Sequence, residues 1–307
     1  MDAPDRIRAD ELGVQQLRSF CLVFERQSYT AVAREIDVSV PTVWEQVQAV
    51  ERRYSTVLFE RRGRRIYPTP TAHVLYESLR PLLAGLDSTF ELIREHEGAG
   101  PGTLTLVTGA RMLIEELAPA LKRFQKAYPS VCLRLMHGDN SIATRLIGAE
   151  EADLALTLEP GPDVLDESVS YERAYANDHL AVFPGKHPLA RKPKLHLRDL
   201  VEFPLIVGHR GTYGRRVLEQ ALYREGLHSR LRIAVETDNS AFTVACVRAG
   251  LGVGLLAGRQ DGLLMRRLAS RPLRDELGQA NIVFMWKNGR VLTRMLQDLM
   301  DCVRAVE

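Results

Sequence analysis

Between residues 29 and 54 apolar side chains recur with a helical period that is interrupted once. Val32, Ala33 and Ile36 share one side of a short first helix. Val43, Val47, Val50 and Tyr54, spaced by four, three and four, form a single stripe on a second. The interruption, Asp37-Val38-Ser39, reads as a tight turn: Ser39 has the hydroxyl an N-cap needs, and Pro41 suits a first turn, where no N–H is required. The small Ala33 lets the second helix cross closely. Two helices so joined predict a helix-turn-helix. The opposite face of the second, with Thr42, Glu45, Gln48 and Arg52, is free to enter a groove of DNA. Residues 58–69 then read as two short strands about a turn at Gly63, a wing whose four arginines are spaced to reach phosphates.

Beyond the wing, Leu75, Leu79, Leu82, Leu86, Phe90 and Ile93 make a helical seam, of the kind that buries against a partner helix or against its own domain. Pro81 removes an internal hydrogen bond and predicts a kink or a restart there. Residues 98–102, Gly-Ala-Gly-Pro-Gly, read as a hinge. From residue 103 strands and helices alternate, which predicts parallel α/β units. The first group has strands at 104–107, 131–136 and 153–157, all read as buried, with helices at 114–128 and 142–150. The second has strands at 180–183, 204–207, 232–235 and 253–256, with helices at 214–225 and 240–249. A strand at 282–286 and a helix at 291–306 close the chain.

Composition narrows the picture. A chain of 307 residues, 45% hydrophobic, can bury two or three modest cores, and its net charge of +2 is too small to argue for nucleic acid. The first hundred residues hold thirteen arginines, no lysine and fifteen acids, so any basic footprint must be local, around Arg52, Arg53 and the wing. Cys21, Cys132, Cys246 and Cys302 are scattered and read as small buried hydrophobes in a reducing compartment, with a redox pair across the fold left open. No apolar run approaches the ~20 residues of a membrane span, and the amino terminus lacks an apolar leader, so no membrane partner and a cytoplasmic location are expected. Catalytic signatures are missing: there is no Gly-x-Ser-x-Gly, no His-Glu-x-x-His and no P-loop. Residues 250–254, Gly-Leu-Gly-Val-Gly, follow a helix and lead into a strand, the reverse of a dinucleotide loop. The eight histidines show no metal-ligand spacing. Neither an enzyme nor a metal or other cofactor is expected.

Leu17-Arg18-Ser19-Phe20, Ser28-Tyr29-Thr30-Ala31-Val32-Ala33, Val38-Ser39-Val40-Pro41, Leu58-Phe59-Glu60-Arg61 and Thr69-Pro70-Thr71-Ala72 resemble the winged helix-turn-helix of LysR-type transcriptional regulators. The resemblance implies a DNA-binding domain over 12–69, a linker helix over 70–97 that pairs two chains, and a hinge at 98–102. It further implies an effector domain over 103–307, similar to periplasmic binding proteins. Lobe one would take about 103–174 and 276–307, lobe two about 175–275, and the last strand would return to lobe one. Dimers, and tetramers built from them, would read paired half-sites in double-stranded DNA. Departures fall in the recognition helix, where Val40 replaces a usual glutamine and Trp44-Glu45 a usual Ser-Arg pair. The expected DNA-contacting residues are Ser39, Val40, Thr42, Glu45, Gln46, Arg52, Arg61, Arg62, Arg64 and Arg65. Glu45 could accept from cytosine N4, while Val40 and Thr42 could touch a thymine methyl. Trp44 is expected to pack beside the hydrophobic stripe rather than meet DNA.

In open α/β sheets ligands bind beyond the carboxyl ends of strands, where helix N-termini present free N–H groups. Turns at 108–112, 138–141, 208–213 and 237–240 fit that description. Thr108, Arg111, Asn140, Ser141, Arg210, Thr212, Asn239 and Ser240 are the expected effector-binding residues, with donors suited to a small anionic metabolite. Asp139, Asn140, Asp238 and Asn239 read equally as N-caps. The competing reading is a cytoplasmic small-molecule binding protein or transferase with an N-terminal assembly domain, kept open by Glu45 and the acidic first domain.

Overall fold

The computed structural model describes residues 12–63, 65–98, 102–161 and 166–305. Arg64 and the centre of the expected hinge therefore lie outside the described residues. The chain divides into two units, one of residues 1–93 with 288–291 and one of residues 94–287 with 292–307.

In the first unit α1 (Val14–Arg26) precedes the helix pair α2 (Tyr29–Glu35) and α3 (Val40–Tyr54). Ser28 caps α2 by accepting from Ala31 N at 3.2 Å, and Ser39 caps α3 by accepting from Thr42 N at 3.2 Å. The turn between them needs one left-handed residue, Asp37, at φ 52°. Val23, Val32, Ala33, Val43 and Val47 bury together, so the stripe read from the sequence is the three-helix core. Strands β1 (Phe59–Arg62) and β2 (Arg65–Pro68) pair antiparallel about Gly63, at φ 65°, and form the wing.

Helix α4 (Pro70–His96) is assigned without interruption through Pro81, so the expected restart does not occur. Leu79 and Ala84, on either side of the proline, are both buried and hold the helix in register. Gly289, at φ 85°, lies against the Pro81 backbone so closely that no Cβ would fit. Arg290 pairs with Glu91 at 2.6 Å, and Val291 N donates to Ser88 Oγ at 3.1 Å. The apolar seam of α4 divides. Leu75 and Leu79 pack with Phe20, Val50 and Leu58, whereas Leu82, Phe90 and Ile93 are exposed.

The second unit is a two-lobed mixed α/β structure. Lobe one has β3 (Thr103–Thr108), a helical segment of α5 (Ala110–Met112), a π-turn (Leu113–Leu117) and α6 (Ala118–Ala127), then β4 (Cys132–His137), α7 (Asn140–Gly148) and β5 (Leu154–Leu158). Next comes the 16-residue strand β6 (Val169–Pro184), far longer than the four residues its apolar stretch predicts. Lobe two adds α8 (Leu197–Leu200), β7 (Leu205–Gly208), α9 (Tyr213–Arg224), β8 (Ile233–Thr237), α10 (Ser240–Arg248), β9 (Val253–Gly258), β10 (Leu268–Pro272) and α11 (Arg274–Leu277). β11 (Gln279–Lys287) returns to lobe one, followed by α12 (Arg294–Arg304).

The strand order is β4-β3-β5-β11-β6-β9-β7-β8, with β10 on β6. Within each lobe the ladders β3–β4, β3–β5, β7–β8 and β7–β9 are parallel, as helical crossovers require. β11 runs antiparallel to β5 and to β6, with a register shift at Ile282/Val283. Phe124, Ile282, Phe284 and Leu299 centre one core, and Phe183, Leu205, Leu218 and Leu222 another. β4 corrects the expectation of a buried strand at 131–136. It is an edge strand paired only to β3 among the described residues, and Cys132, Arg134 and Leu135 are exposed. The cysteines are corrected with it: Cys21 is buried, Cys246 and Cys302 are half-buried, Cys132 is exposed, and all four are free thiols.

Candidate functional site

On α3 the face opposite the valine stripe presents Pro41, Trp44, Glu45 and Arg52 to solvent. Trp44 is 51% exposed: it lies one position beyond Val43, about 100° round the helix from the buried line, and flanks the valine stripe without joining it. Gln46 is the converse case. It is half-buried and its Oε1 accepts from the buried Ser19 hydroxyl at 2.5 Å, so it is drawn into the α1–α3 contact. The Ser39 and Thr42 hydroxyls bond to each other at 2.7 Å. Glu51, which the sequence reading passed over, ties the helix to the wing by accepting from Leu58 N at 2.7 Å and Phe59 N at 3.2 Å.

Arg61, Arg62 and Arg65 of the wing are exposed, and the first two make local contacts. Arg61 Nε donates to Gly63 O at 3.1 Å, and Arg62 pairs with Glu60 at 3.1 Å while its guanidinium sits 5.6 Å from the Tyr67 ring centre. Arg65 is exposed at the start of β2.

In the second unit the π-turn after α5 brings two adjacent glutamates into a buried charge cluster between the lobes. Arg111 Nη1 lies 2.5 Å from Glu116 Oε1 and 3.3 Å from Glu115 Oε2. Asn177, on β6, donates to Glu116 Oε1 at 3.0 Å, and Leu264 N, from lobe two, donates to Glu115 Oε1 at 3.2 Å. Gly258 and Gly262 are the backbone positions against which Arg111 and Glu115 rest, and a Cβ at 262 would collide with the Glu115 carboxylate. Burial alone would lower the Arg111 guanidinium, but Glu116 and then Glu115 outweigh it and hold its pKa above the ordinary value. Burial raises Glu115, against the opposing pull of Arg111. Burial, and then the charge of Glu116, raise the Tyr175 hydroxyl. His179, two strand positions beyond Asn177, is lowered by burial, which outweighs Asp178. Arg259, itself paired with Asp261 at 3.1 Å, adds a second cation whose charge reaches Glu115, Glu116 and Tyr175.

Residues 97–307 match the family described as the LysR substrate binding domain, and residues 14–73 that described as the bacterial regulatory helix-turn-helix protein, lysR family. The chain belongs to the LysR family. It is 27% identical over 285 residues to the HTH-type transcriptional regulator CysB of Haemophilus influenzae, covering 91% of this chain and 86% of that protein. The fold is similar to the crystal structure of the cofactor-binding domain of the Cbl transcriptional regulator, with TM-score 0.59 and 24% identity over 66% of this chain and 88% of that one. Full-length CbnR complexed with its target DNA is similar over 95% of this chain and 99% of that one, with TM-score 0.55 and 18% identity. The regulator is thus a ligand-responsive LysR-type transcriptional regulator and not an enzyme.

Of the effector-binding residues expected in the regulator, several prove committed to its own framework. Thr108 is buried and its hydroxyl donates to Leu156 O at 2.9 Å. Arg111 is held by the two glutamates. Asn140 Nδ2 donates to Leu158 O at 2.7 Å. Thr212 donates to His209 O at 2.9 Å, and Asn239 caps α10 by accepting from Phe242 N at 3.0 Å. Ser141, in the first turn of α7, and Arg210, in the loop before α9, are exposed, and Ser240 opens α10 half-exposed. The glutamates were missed because α-helical spacing turns Glu115 and Glu116 about 100° apart, and only the π-turn lets both face Arg111.

Proposed function

We propose that the regulator lays α3 in the DNA major groove, with the wing on flanking phosphates, and responds to a small effector held between the two lobes of its second unit. The observation that carries the DNA reading is the exposed face of α3, capped at Ser39 and anchored to an arginine wing by Glu51. In this reading Ser39, Val40, Thr42 and Glu45 would meet base edges, and Arg52, Arg61, Arg62 and Arg65 would meet phosphates. CbnR, which shares this fold, is found complexed with its target DNA. The exposed Leu82, Phe90 and Ile93 of α4 suit pairing of two chains, and dimers would match paired half-sites. A regulator reading chromosomal DNA works in the cytoplasm.

For the effector, the N-terminal turns of α7 and α10 and the loop before α9 remain the favoured place, with Ser141, Arg210 and Ser240 as available donors. A small anion is the class these donors suit. Arg111 is already paired with Glu115 and Glu116, which makes it a weaker candidate for that role. The test is selection from random duplexes by the full-length protein at moderate salt, repeated with Arg61→Ala and Arg65→Ala. Two related half-sites should emerge. Each arginine removed should weaken binding to all sequences alike and shallow the salt slope by roughly one for every phosphate that is no longer neutralised. No enrichment at any salt concentration would refute the DNA reading. An unchanged effector response in Arg210→Ala would refute the anion reading.

A further inference from the structure

The start of α3 carries an apolar surface that the protein's own packing does not use. Val40 opens the helix and Trp44 follows four residues later, so the two side chains are neighbours on one face. They are 40% and 51% exposed, while Val43, Val47 and Val50 are fully buried. The polar side chains around them are largely engaged within the protein. Ser39 and Thr42 bond to each other, Gln46 accepts from Ser19, and Gln48 donates to Glu51. What this turn of helix presents outward is therefore the apolar Val40–Pro41–Trp44 surface and the Glu45 carboxylate.

Its surroundings define the occupant. Arg34, Arg52, Arg61, Arg62 and Arg65 are all exposed on the same small domain, and cations so placed fix where phosphates run. An apolar surface on the helix that enters the groove would meet the groove floor. The apolar feature of a major groove is the C5-methyl group of thymine, which also fits an aromatic face. Resting on the DNA reading above, we propose that Trp44, supported by Val40, is a specificity-determining residue that selects thymine through its C5-methyl group. Glu45, beside it, accepts from cytosine N4 of a neighbouring pair. The half-site is then read by methyl contact and a carboxylate acceptor.

The test starts from a duplex recovered by selection with the full-length protein. Each thymine is replaced in turn by deoxyuridine, which pairs identically and lacks only the methyl group. One position per half-site should lose about fourfold in affinity, the worth of one buried methyl, and two half-sites together about fifteenfold. In Trp44→Ala that position should become indifferent to the replacement, and Trp44→Phe should retain part of the effect. Both variants change an exposed side chain and should melt with the parent. A selected site with no uracil-sensitive position, or sensitivity that survives in Trp44→Ala, overturns the proposal and leaves the DNA reading intact. A fall in the solution mass of the DNA-free protein on Trp44→Ala would also overturn it, assigning the patch to a second copy of the chain. Failure to enrich any duplex at all would remove both readings.

Discussion

The Arg111 cluster makes a sharp energetic prediction, because one buried guanidinium touches both carboxylates. Arg111 is 4% exposed and serves two carboxylates at 2.5 and 3.3 Å. Replacing it by methionine keeps most of the volume but leaves Glu115 and Glu116 buried side by side without the cation that touches them. Breaking a buried pair from one side costs about 3–5 kcal/mol, and two stranded carboxylates place this case at the upper end. For a unit of this size a kcal/mol is worth roughly 2–4 °C, so Arg111→Met should lower the melting temperature by about 10–20 °C. Glu116→Gln is much milder. It retains an acceptor for Arg111 and Asn177 and leaves a neutral Arg111–Glu115 pair, for a loss of about 1–2 kcal/mol. Combined, the two changes should be less harmful than their sum by at least about 1 kcal/mol, since the second removes one of the charges stranded by the first. The deficit of Arg111→Met should also shrink as pH falls and the stranded carboxylates take up protons. Thermal melts of the full-length variants, with denaturant midpoints for the coupling, would measure this. The reasoning fails if Arg111→Met melts within a few degrees of the parent while abolishing the response to effector. That result would make Arg111 a ligand-binding residue whose charge is not needed for folding.

Three further outcomes are expected. Burial lowers the pKa of His179 and of His187 below the ordinary 6.5, so the unfolded chain binds more protons than the folded one just below that pH. Stability should therefore fall as pH drops through and below about 6.5, and His179→Gln should flatten the fall in a pH series of melting temperatures. Native alkylation followed by mass spectrometry should label the exposed Cys132 fast and spare Cys21, which is buried and whose thiol is pushed up to about 12. Equal labelling would contradict the burial. Gly289→Ala must place a methyl into the Pro81 backbone at a positive φ, so it should lower the melting temperature measurably, whereas Gly102→Ala, with open space around it, should be close to neutral.

The helix-turn-helix was legible because its signals are local: a period, two capping serines and a proline, each of which acts within one turn. Trp44 was harder to read, because an indole's type says hydrophobic while its position, one step off the stripe, says solvent. Gln46 was hard to read for the mirror reason, since nothing in the sequence announces that Ser19 lies across from it. The alternation of strands and helices came through, but β6 did not. Glu172, Arg173 and Asp178 mask a strand whose ladder is backbone, not side chain. In the candidate effector site the helix N-termini were found from their caps. The Arg111 cluster was not, because Asn177 is 61 residues from Glu116 and the π-turn has no sequence signature comparable to a proline.

β6 and β11 have a mechanical consequence for the lobes. Flexible loops between two lobes would let each swing independently about a point. Here the connection is a two-stranded antiparallel ribbon, paired from Val169–Lys287 to Asp178–Gln279, with β6 running on to pair with β9 and β10 and β11 also paired to β5. Such a ribbon resists stretching and sliding, because either would break a row of hydrogen bonds. It yields to twist and to bending, and most easily where its ladder is already irregular, at Ile282/Val283. An effector gripping both lobes would therefore act as a torque on a short torsion spring, converting occupancy of a small site into a rotation of one lobe against the other.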